Sequence, residues 1–168
     1  DRKKETSATV EAARNFANKL WNATRFALLN LDSELSTSFE TIDSSNLQLS
    51  DYWILSRLAR VNHETSERYA NYELGEAAKG LYEFAWNDFC DWYLELIKHR
   101  LNPGPVSTEA ALVDQQTSRT VLVKVLTDLL VMLHPLMPHL TEELWHVLTG
   151  APETKLLALQ AWPKINEG

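Results

Sequence analysis

The chain has 168 residues, of which 45% are hydrophobic and 23% are charged, and its formal net charge is −7. This length and composition predict one folded domain and exclude a chain that is disordered throughout. The negative charge excludes a broadly basic nucleic-acid binder, because phosphate contacts favour a basic surface, but it is compatible with a local basic patch.

The single cysteine, Cys90, excludes an internal disulfide and is typical of a reducing compartment, so we expect a cytoplasmic protein. Its neighbours Phe89 and Trp92 predict a buried thiol. No apolar run is long enough to span a bilayer, and no signal-peptide pattern is present. Because the chain begins with Asp1 and a polar stretch, we expect residues 1–7 to be a linker in a longer protein and residues 8–168 to be the domain.

The spacing of apolar residues predicts an all-α chain, with no run of alternating β-branched residues. The predicted helices span 8–30, 51–72, 76–100, 108–134 and 141–149. Ser50 and Ser107 are the expected N-caps of the second and fourth helices, Thr141 begins the fifth, and Gly150 ends it. The polar segment 31–50 is expected to be a long loop, and the tail 156–163 to lie extended across the bundle. The predicted fold is an up-down bundle of four to five helices.

Two predicted helices have clear apolar faces. In the second helix, the inward residues are Ile54, Leu58 and Val61. In the third helix, they are Leu81, Phe84, Ala85, Phe89, Trp92 and Leu96. The wide arc of the third helix is typical of a central helix that packs on several neighbours.

The first predicted helix has a second, polar face. Its core-facing stripe consists of Phe16, Leu20, Ala23 and Ala27. The opposite face, here called the polar row, consists of Arg14, Asn18, Trp21 and Arg25, with Asn22 at its edge. Guanidinium, amide and indole groups in one row can hydrogen-bond to RNA and stack on its bases. The residue types also allow the arginines to pair with Asp88, Asp91 or Glu95 of the third helix, so both interpretations stay open at this point.

An up-down order places the ends of the first and third helices at the same pole of the bundle. Arg25 is then expected near Lys98, His99 and Arg100, with Arg57 and Arg60 contributed by the second helix. This arrangement predicts positive charge at one pole of an acidic domain. The alternative is that the cations of residues 98–100 only complement the negative end of the helix dipole.

The sequence predicts no catalytic or metal site. Glu143 and His146 have the spacing of half a di-iron site, but a second copy of the pair is absent. No glycine-rich phosphate loop and no nucleophile–base set occurs. We therefore assign no catalytic residue, no metal ligand and no cofactor to this chain.

Three segments match one known family. Residues 14–26 (RNFANKLWNATRF), 77–98 (AAKGLYEFAWNDFCDWYLELIK) and 134–145 (HPLMPHLTEELW) carry the match. The first two resemble the opening and central helices of the anticodon-binding domain of valyl-tRNA synthetases. The third is similar to a segment that the valine, leucine and isoleucine enzymes share, with His139 in place of an expected aromatic residue. Together the matches extend over residues 8–163.

The resemblance implies a parent enzyme that activates valine with ATP and transfers it to tRNA. That chemistry, with its ATP and Mg²⁺, belongs to a catalytic domain whose signature motifs are absent here, and residues 1–7 are the expected link to it. The implied partners of the domain are the anticodon stem-loop of valine tRNA and the catalytic domain of the same chain. No membrane partner is expected, and the fragment is expected to be a monomer.

The expected RNA contacts combine the resemblance with the helical wheel. They are Arg14, Asn18, Trp21, Asn22, Arg25, Phe26, Lys98 and Arg100. Trp21 and Phe26 are the expected stacking platforms, while Lys98 and Arg100 are expected to hold phosphates. The alternative function is a helical protein-interaction or bracing module that makes no direct anticodon contact.

Overall fold

The computed structural model describes residues 2–31, 39, 42–104 and 108–164, and the side chains of these residues except 2–7 and 9. Its helices are α1 (Arg2–Asn30), α2 (Leu49–Ala70), α3 (Leu74–Glu83), α4 (Leu94–Leu101), α5 (Glu109–Leu133) and α6 (Pro138–Thr149). A π-helical segment, Phe84–Tyr93, joins α3 to α4, and the rod that these three form is called the central helix below. The described residues contain no strand and form five helical rods, which confirms the predicted all-α bundle of four to five helices.

Side-chain pairs fix the direction of the helices around the central helix. Lys19 pairs with Asp91 and Asn30 with Asn102, and both pairs are 72 residues apart, so α1 runs parallel to the central helix in a constant register. Arg57 pairs with Asp88 while residues nearer the start of α2 contact the end of the central helix, so α2 runs antiparallel to it. The up-down order is therefore as predicted, and the ends of α1 and the central helix meet at one pole.

The predicted inward residues of α2 are buried, as are most of those of the central helix. Trp92 and Leu96 are the exceptions, because their side chains are 63% and 44% exposed. The π-helical segment explains this error, since its hydrogen bonds run from i to i+5 and its turn is wider than an α-turn. A wheel drawn at 100° per residue therefore accumulates an error along this segment, and by Trp92 and Leu96 it assigns the wrong face.

The helix ends differ from several predicted caps. Gln48, not Ser50, is the N-cap of α2, and the backbone N–H of Gln48 donates a hydrogen bond to the Asp51 carboxylate. Thr108 caps α5, whereas the predicted cap Ser107 lies outside the described residues. Pro138 begins α6 three residues before the predicted start, as expected for proline in a first helical turn.

Other predicted boundaries are the end of α6, the start of α1 and the loop between α1 and α2. Gly150 ends α6 at a φ of 64°, a left-handed conformation that glycine adopts without a side-chain clash, which confirms the predicted stop. Helix α1 begins at Arg2, six residues before its predicted start, although the linker assignment of residues 1–7 stays a prediction. Of the predicted loop 31–50, the structure describes part, including a 3₁₀ turn at Ser44–Asn46.

The C-terminal tail crosses the bundle, as predicted, with a 3₁₀ turn at Leu157–Leu159. The indole N–H of Trp162 donates to Asn62 Oδ1 at 2.6 Å, and Asn62 Nδ2 donates to the Pro163 carbonyl at 2.8 Å. Near the turn, the Leu157 backbone N–H donates to Glu142 Oε1 at 2.6 Å. The tail thus closes over α2 and α6 through hydrogen bonds to both.

A buried ion cluster holds three helices together at the pole where α1 ends. The guanidinium of Arg100, on the central helix, donates to both oxygens of Asp51 on α2 at 2.8 and 2.7 Å. It also donates to Oδ1 of Asp114 on α5 at 2.8 Å. The side chains of Arg100 and Asp51 are 2% and 0% exposed. We call Arg100, Asp51 and Asp114 the arginine cluster.

Further hydrogen bonds complete the arginine cluster. Tyr93 Oη donates to Asp51 Oδ1 at 3.1 Å, and Gln48 Nε2 donates to Asp114 Oδ1 at 2.9 Å. Burial by itself lowers the pKa of Arg100, but the hydrogen bonds and charges of the two carboxylates outweigh burial and raise that pKa above its ordinary value. The guanidinium is therefore a permanent cation inside the bundle.

We predict that Arg100→Met lowers the free energy of unfolding by about 3–5 kcal/mol, because it leaves a buried carboxylate without its partner. Urea unfolding followed by circular dichroism measures the change. Arg60→Met is the matched control, since Arg60 is exposed and pairs with Glu64 on the surface, and it should change stability by less than about 0.5 kcal/mol. Equal transitions for the two variants would contradict a stabilising role for the arginine cluster.

The Cys90 thiol is buried, as predicted, and burial raises its pKa to about 12, against an opposing effect of Lys19. At pH 8 only about one thiol in ten thousand is then ionised, compared with about a quarter in the unfolded chain. We predict that a disulfide reagent such as DTNB reacts with the native protein at least about a hundredfold more slowly than with the urea-unfolded protein. Rates that agree within tenfold would show that Cys90 is accessible in the native state.

Candidate nucleic-acid interface

The polar row lies on the solvent side of α1, opposite the stripe that packs into the core. All five of its residues are exposed, and the Trp21 side chain is 47% exposed. An indole with half of its surface in solvent is available for stacking. The row therefore presents an aromatic ring, two amides and two guanidinium groups on one accessible face.

The carboxylates that were the alternative partners of the row are engaged by other cations. Asp91 accepts from Lys19 at 2.6 Å, Asp88 from Arg57 at 2.8 Å, and Glu95 from Lys98. The arginines of the polar row therefore do not pair with these carboxylates, which was the alternative interpretation of the row.

The two arginines of the polar row differ slightly in their surroundings. Arg14 lies 4.0 Å from Glu11 of its own helix, with both side chains largely exposed. Arg25 has no ion-pair partner in the part of the chain that the structure describes. Both guanidinium groups are therefore accessible, and Arg25 is the less restrained of the two.

Lys19 fixes the rotation of α1 that turns the polar row outward. Besides its pair with Asp91, the Lys19 ammonium lies 4.8 Å from the centre of the Trp86 ring, a cation–π contact. The Tyr82 ring stacks on Trp86 at 5.5 Å and contacts the Phe16 ring at 5.0 Å. Because this side of α1 is held against the central helix, the opposite side faces solvent.

Phe26 and Lys98, two further predicted contacts, have different environments. Phe26 is partly buried and packs against the core, so it has less ring surface available than Trp21. Lys98 is half exposed but forms an ion pair with Glu95 on its own helix. The hydrogen bond from Asn102 Nδ2 to Asn30 Oδ1, at 2.8 Å, holds the two helix ends together beside them.

Arg100 does not belong to the accessible surface. Its guanidinium is buried and bound by two carboxylates, so it has no free donor for a phosphate. We therefore withdraw Arg100 from the expected RNA contacts. Arg100 lies in the last turn of α4, where the helix-dipole alternative places it, but its direct partners are Asp51 and Asp114.

The predicted concentration of positive charge at the pole is also wrong. Arg100 and Lys98 are matched there by three carboxylates, those of Asp51, Asp114 and Glu95. The arginines of α2 are paired as well, Arg57 with Asp88 and Arg60 with Glu64. Carboxylates thus pair with most of the cations that were expected at the pole, and Arg25 is the least restrained guanidinium there.

Three residues that orient this surface were not predicted from the sequence, namely Lys19, Asn30 and Asn102. Lys19 and its partner Asp91 are 72 residues apart in the chain, and so are Asn30 and Asn102. This shared separation indicates contacts only once α1 and the central helix are known to be parallel. A helical wheel cannot provide this information, because it treats each helix by itself.

The described residues contain no group of three or more metal-ligating side chains and no helix that could span a membrane. His146 contacts Glu142 at 3.3 Å rather than the Glu143 of the predicted spacing, and its ring also contacts the Ala151 carbonyl. These side chains therefore stabilise the end of α6 and the start of the tail.

Comparison with known proteins identifies the family. The profile described as the anticodon-binding domain of tRNA ligase matches residues 51–168, which is more than half of the chain. The chain belongs to this family. The matched region begins in α2, so the profile does not include α1 and its polar row.

Similar proteins extend the match to α1. The chain is 71% identical over 167 residues to the valine–tRNA ligase of Prochlorococcus marinus strain NATL2A, and 68% identical to that of strain MIT 9313. It is 51% identical to the valine–tRNA ligase of Nostoc sp. strain PCC 7120. Each alignment covers 99% of this chain but only 17–18% of the relative. The chain thus corresponds to one anticodon-binding domain within a much longer enzyme.

Proposed function

We propose that this chain binds the anticodon loop of valine tRNA as one domain of a valine–tRNA ligase. The observation that carries the proposal is the exposed polar row on α1, whose arginines are free of the central-helix carboxylates. The family and the valine–tRNA ligases that align with 99% of the chain support the anticodon loop and the valine tRNA as the target.

The chemistry of the polar row suits a single-stranded loop. Bases that are turned out of the loop can be hydrogen-bonded along their Watson–Crick edges and stacked on aromatic rings. Asn18 and Asn22 each offer an amide that both donates and accepts, and Arg25 offers planar donors. Trp21 is the first stacking platform, and the partly buried Phe26 is the second.

Recognition at this surface relies on hydrogen bonding and stacking more than on charge. With Arg100 buried, the cations beside the loop are Arg25 and Lys98, with Arg14 farther along α1. Each phosphate contact to a single strand contributes about 0.7 to the slope of log affinity against log salt. We therefore expect a shallow slope, of about 1–2, for a surface with so few cations.

The rest of the enzyme carries the chemistry in this proposal. The catalytic domain of the full-length chain activates valine with ATP and Mg²⁺ and transfers it to tRNA in the cytoplasm, and residues 1–7 lead into that domain. We assign no catalytic or metal-binding role to this domain, and we expect it to be a monomer.

Titration with two RNAs tests the proposal. One RNA is the anticodon stem-loop of valine tRNA, and the other has the same stem with a changed anticodon, at several salt concentrations. We predict at least tenfold tighter binding of the first. Equal binding would contradict anticodon reading, and binding of neither RNA would favour a bracing or protein-docking role.

Two variants locate the binding surface in the same titration. Arg25→Ala should weaken binding of the valine stem-loop about tenfold or more, because a hydrogen bond to a charged group is worth about 1.5 kcal/mol or more. It should leave the unfolding free energy within about 0.5 kcal/mol of the parent, since Arg25 is exposed. Arg60→Ala removes an equally exposed charge from α2 and should leave affinity unchanged. An unfolded Arg25→Ala variant would mean that Arg25 is structural.

A further inference from the structure

We infer that Glu95 is a specificity-determining residue, which restrains Lys98 and so weakens the binding of RNAs that do not engage the polar row. This inference rests on the proposed function, because the restrained lysine lies beside the surface proposed for the anticodon loop. In this account Glu95 does not contact the anticodon loop of valine tRNA.

The ion pair between Glu95 and Lys98 restrains the lysine at the surface of the protein. Glu95 and Lys98 lie one turn apart on α4, with Lys98 Nζ 2.5 Å from Glu95 Oε1. Their side chains are 61% and 51% exposed, so the pair opens to solvent and is not part of the core. Lys98 is therefore accessible to RNA only in competition with Glu95.

The position of the pair relates it to the proposed interface. The offset of 72 residues that links α1 to the central helix places Lys98 level with Phe26, at the edge of the proposed surface. One turn before Glu95, Asp91 engages Lys19 in the same way, at 2.6 Å. The lysines on this side of the interface are thus held by carboxylates, whereas Arg25 has no ion-pair partner among the described residues.

The energies explain how such a restraint produces specificity. An exposed ion pair changes an equilibrium by at most about fivefold, which is comparable to one phosphate contact in a weak, charge-driven complex. An RNA that binds by charge alone loses a large part of its affinity to the pair and to the repulsion from Glu95. An RNA whose bases fill the polar row is positioned by hydrogen bonds and stacking on the side of α1 that faces away from the central helix, so it depends less on Lys98 and its affinity changes less.

The test is Glu95→Gln, measured with the valine stem-loop and its changed-anticodon form across a salt series. We expect affinity for the changed form to rise about three- to fivefold and affinity for the valine form to rise less, so that discrimination falls. The slope of log affinity against log salt for the changed form should steepen by about 0.7, as expected for one more phosphate contact. Adding Lys98→Gln to Glu95→Gln should reverse both effects.

Glu83→Gln is the matched control. Glu83 is exposed on the same central helix, twelve residues earlier in the chain, and its change removes the same charge. If Glu83→Gln raises affinity as much as Glu95→Gln, the effect is one of net charge and the inference is wrong. Weaker binding by Glu95→Gln would also overturn it, because Glu95 would then contact RNA directly.

The outcomes separate this inference from the proposed function. If the parent chain binds both RNAs equally, anticodon reading fails, but a Lys98-dependent gain in Glu95→Gln still supports the restraint. If the parent chain discriminates and Glu95→Gln changes neither affinity nor salt slope, the restraint fails and the proposed function stands. If neither the parent nor Glu95→Gln binds either RNA, both fail.

Discussion

The guanidinium of Arg100 between Asp51 and Asp114 is the interaction on which the rest of the structure depends. It joins α2, the central helix and α5 at the pole where α1 also ends. A buried charge tolerates little displacement of its partners, because their attraction compensates the cost of leaving water. The cluster therefore fixes how the start of α2 and of α5 meet the end of the central helix.

That fixed pole positions the proposed interface indirectly. Asn102 follows Arg100 by two residues and bonds to Asn30, the last residue of α1. Lys19 makes a second attachment farther along α1, through Asp91 and the Trp86 ring. With two points of attachment on one side, α1 is oriented so that its polar row faces solvent.

The same arrangement changes the physical basis of RNA recognition. A cluster of free arginines and lysines at the pole would attract any RNA, because phosphate contacts are independent of sequence. Here carboxylates match most of the cations, and the accessible groups are amides, an indole and few guanidinium groups. An acidic domain with a neutralised pole is suited to reading bases with little non-specific attraction.

Helix periodicity and the quoted segments were enough to predict the bundle, its helix order and the residues of the polar row on α1, but they left open whether the arginines of that row are free or paired. They were not enough to place Arg100, whose partners are 49 and 14 residues away in the chain and carry no local signal. Trp92 was misplaced for a different reason, because the π-helical turn shifts the face of each following residue. Local patterns thus predict faces of regular helices, whereas ion clusters that join helices require the tertiary arrangement.

The most direct test of the account is the NMR spectrum of the six tryptophan indole N–H groups during titration with the valine anticodon stem-loop. The account predicts that the Trp21 indole signal shifts most. The Trp162 signal should stay in place, because that N–H is hydrogen-bonded to Asn62 on another part of the bundle. A large shift of Trp162 with no change at Trp21 would contradict the placement of the RNA on the polar row of α1.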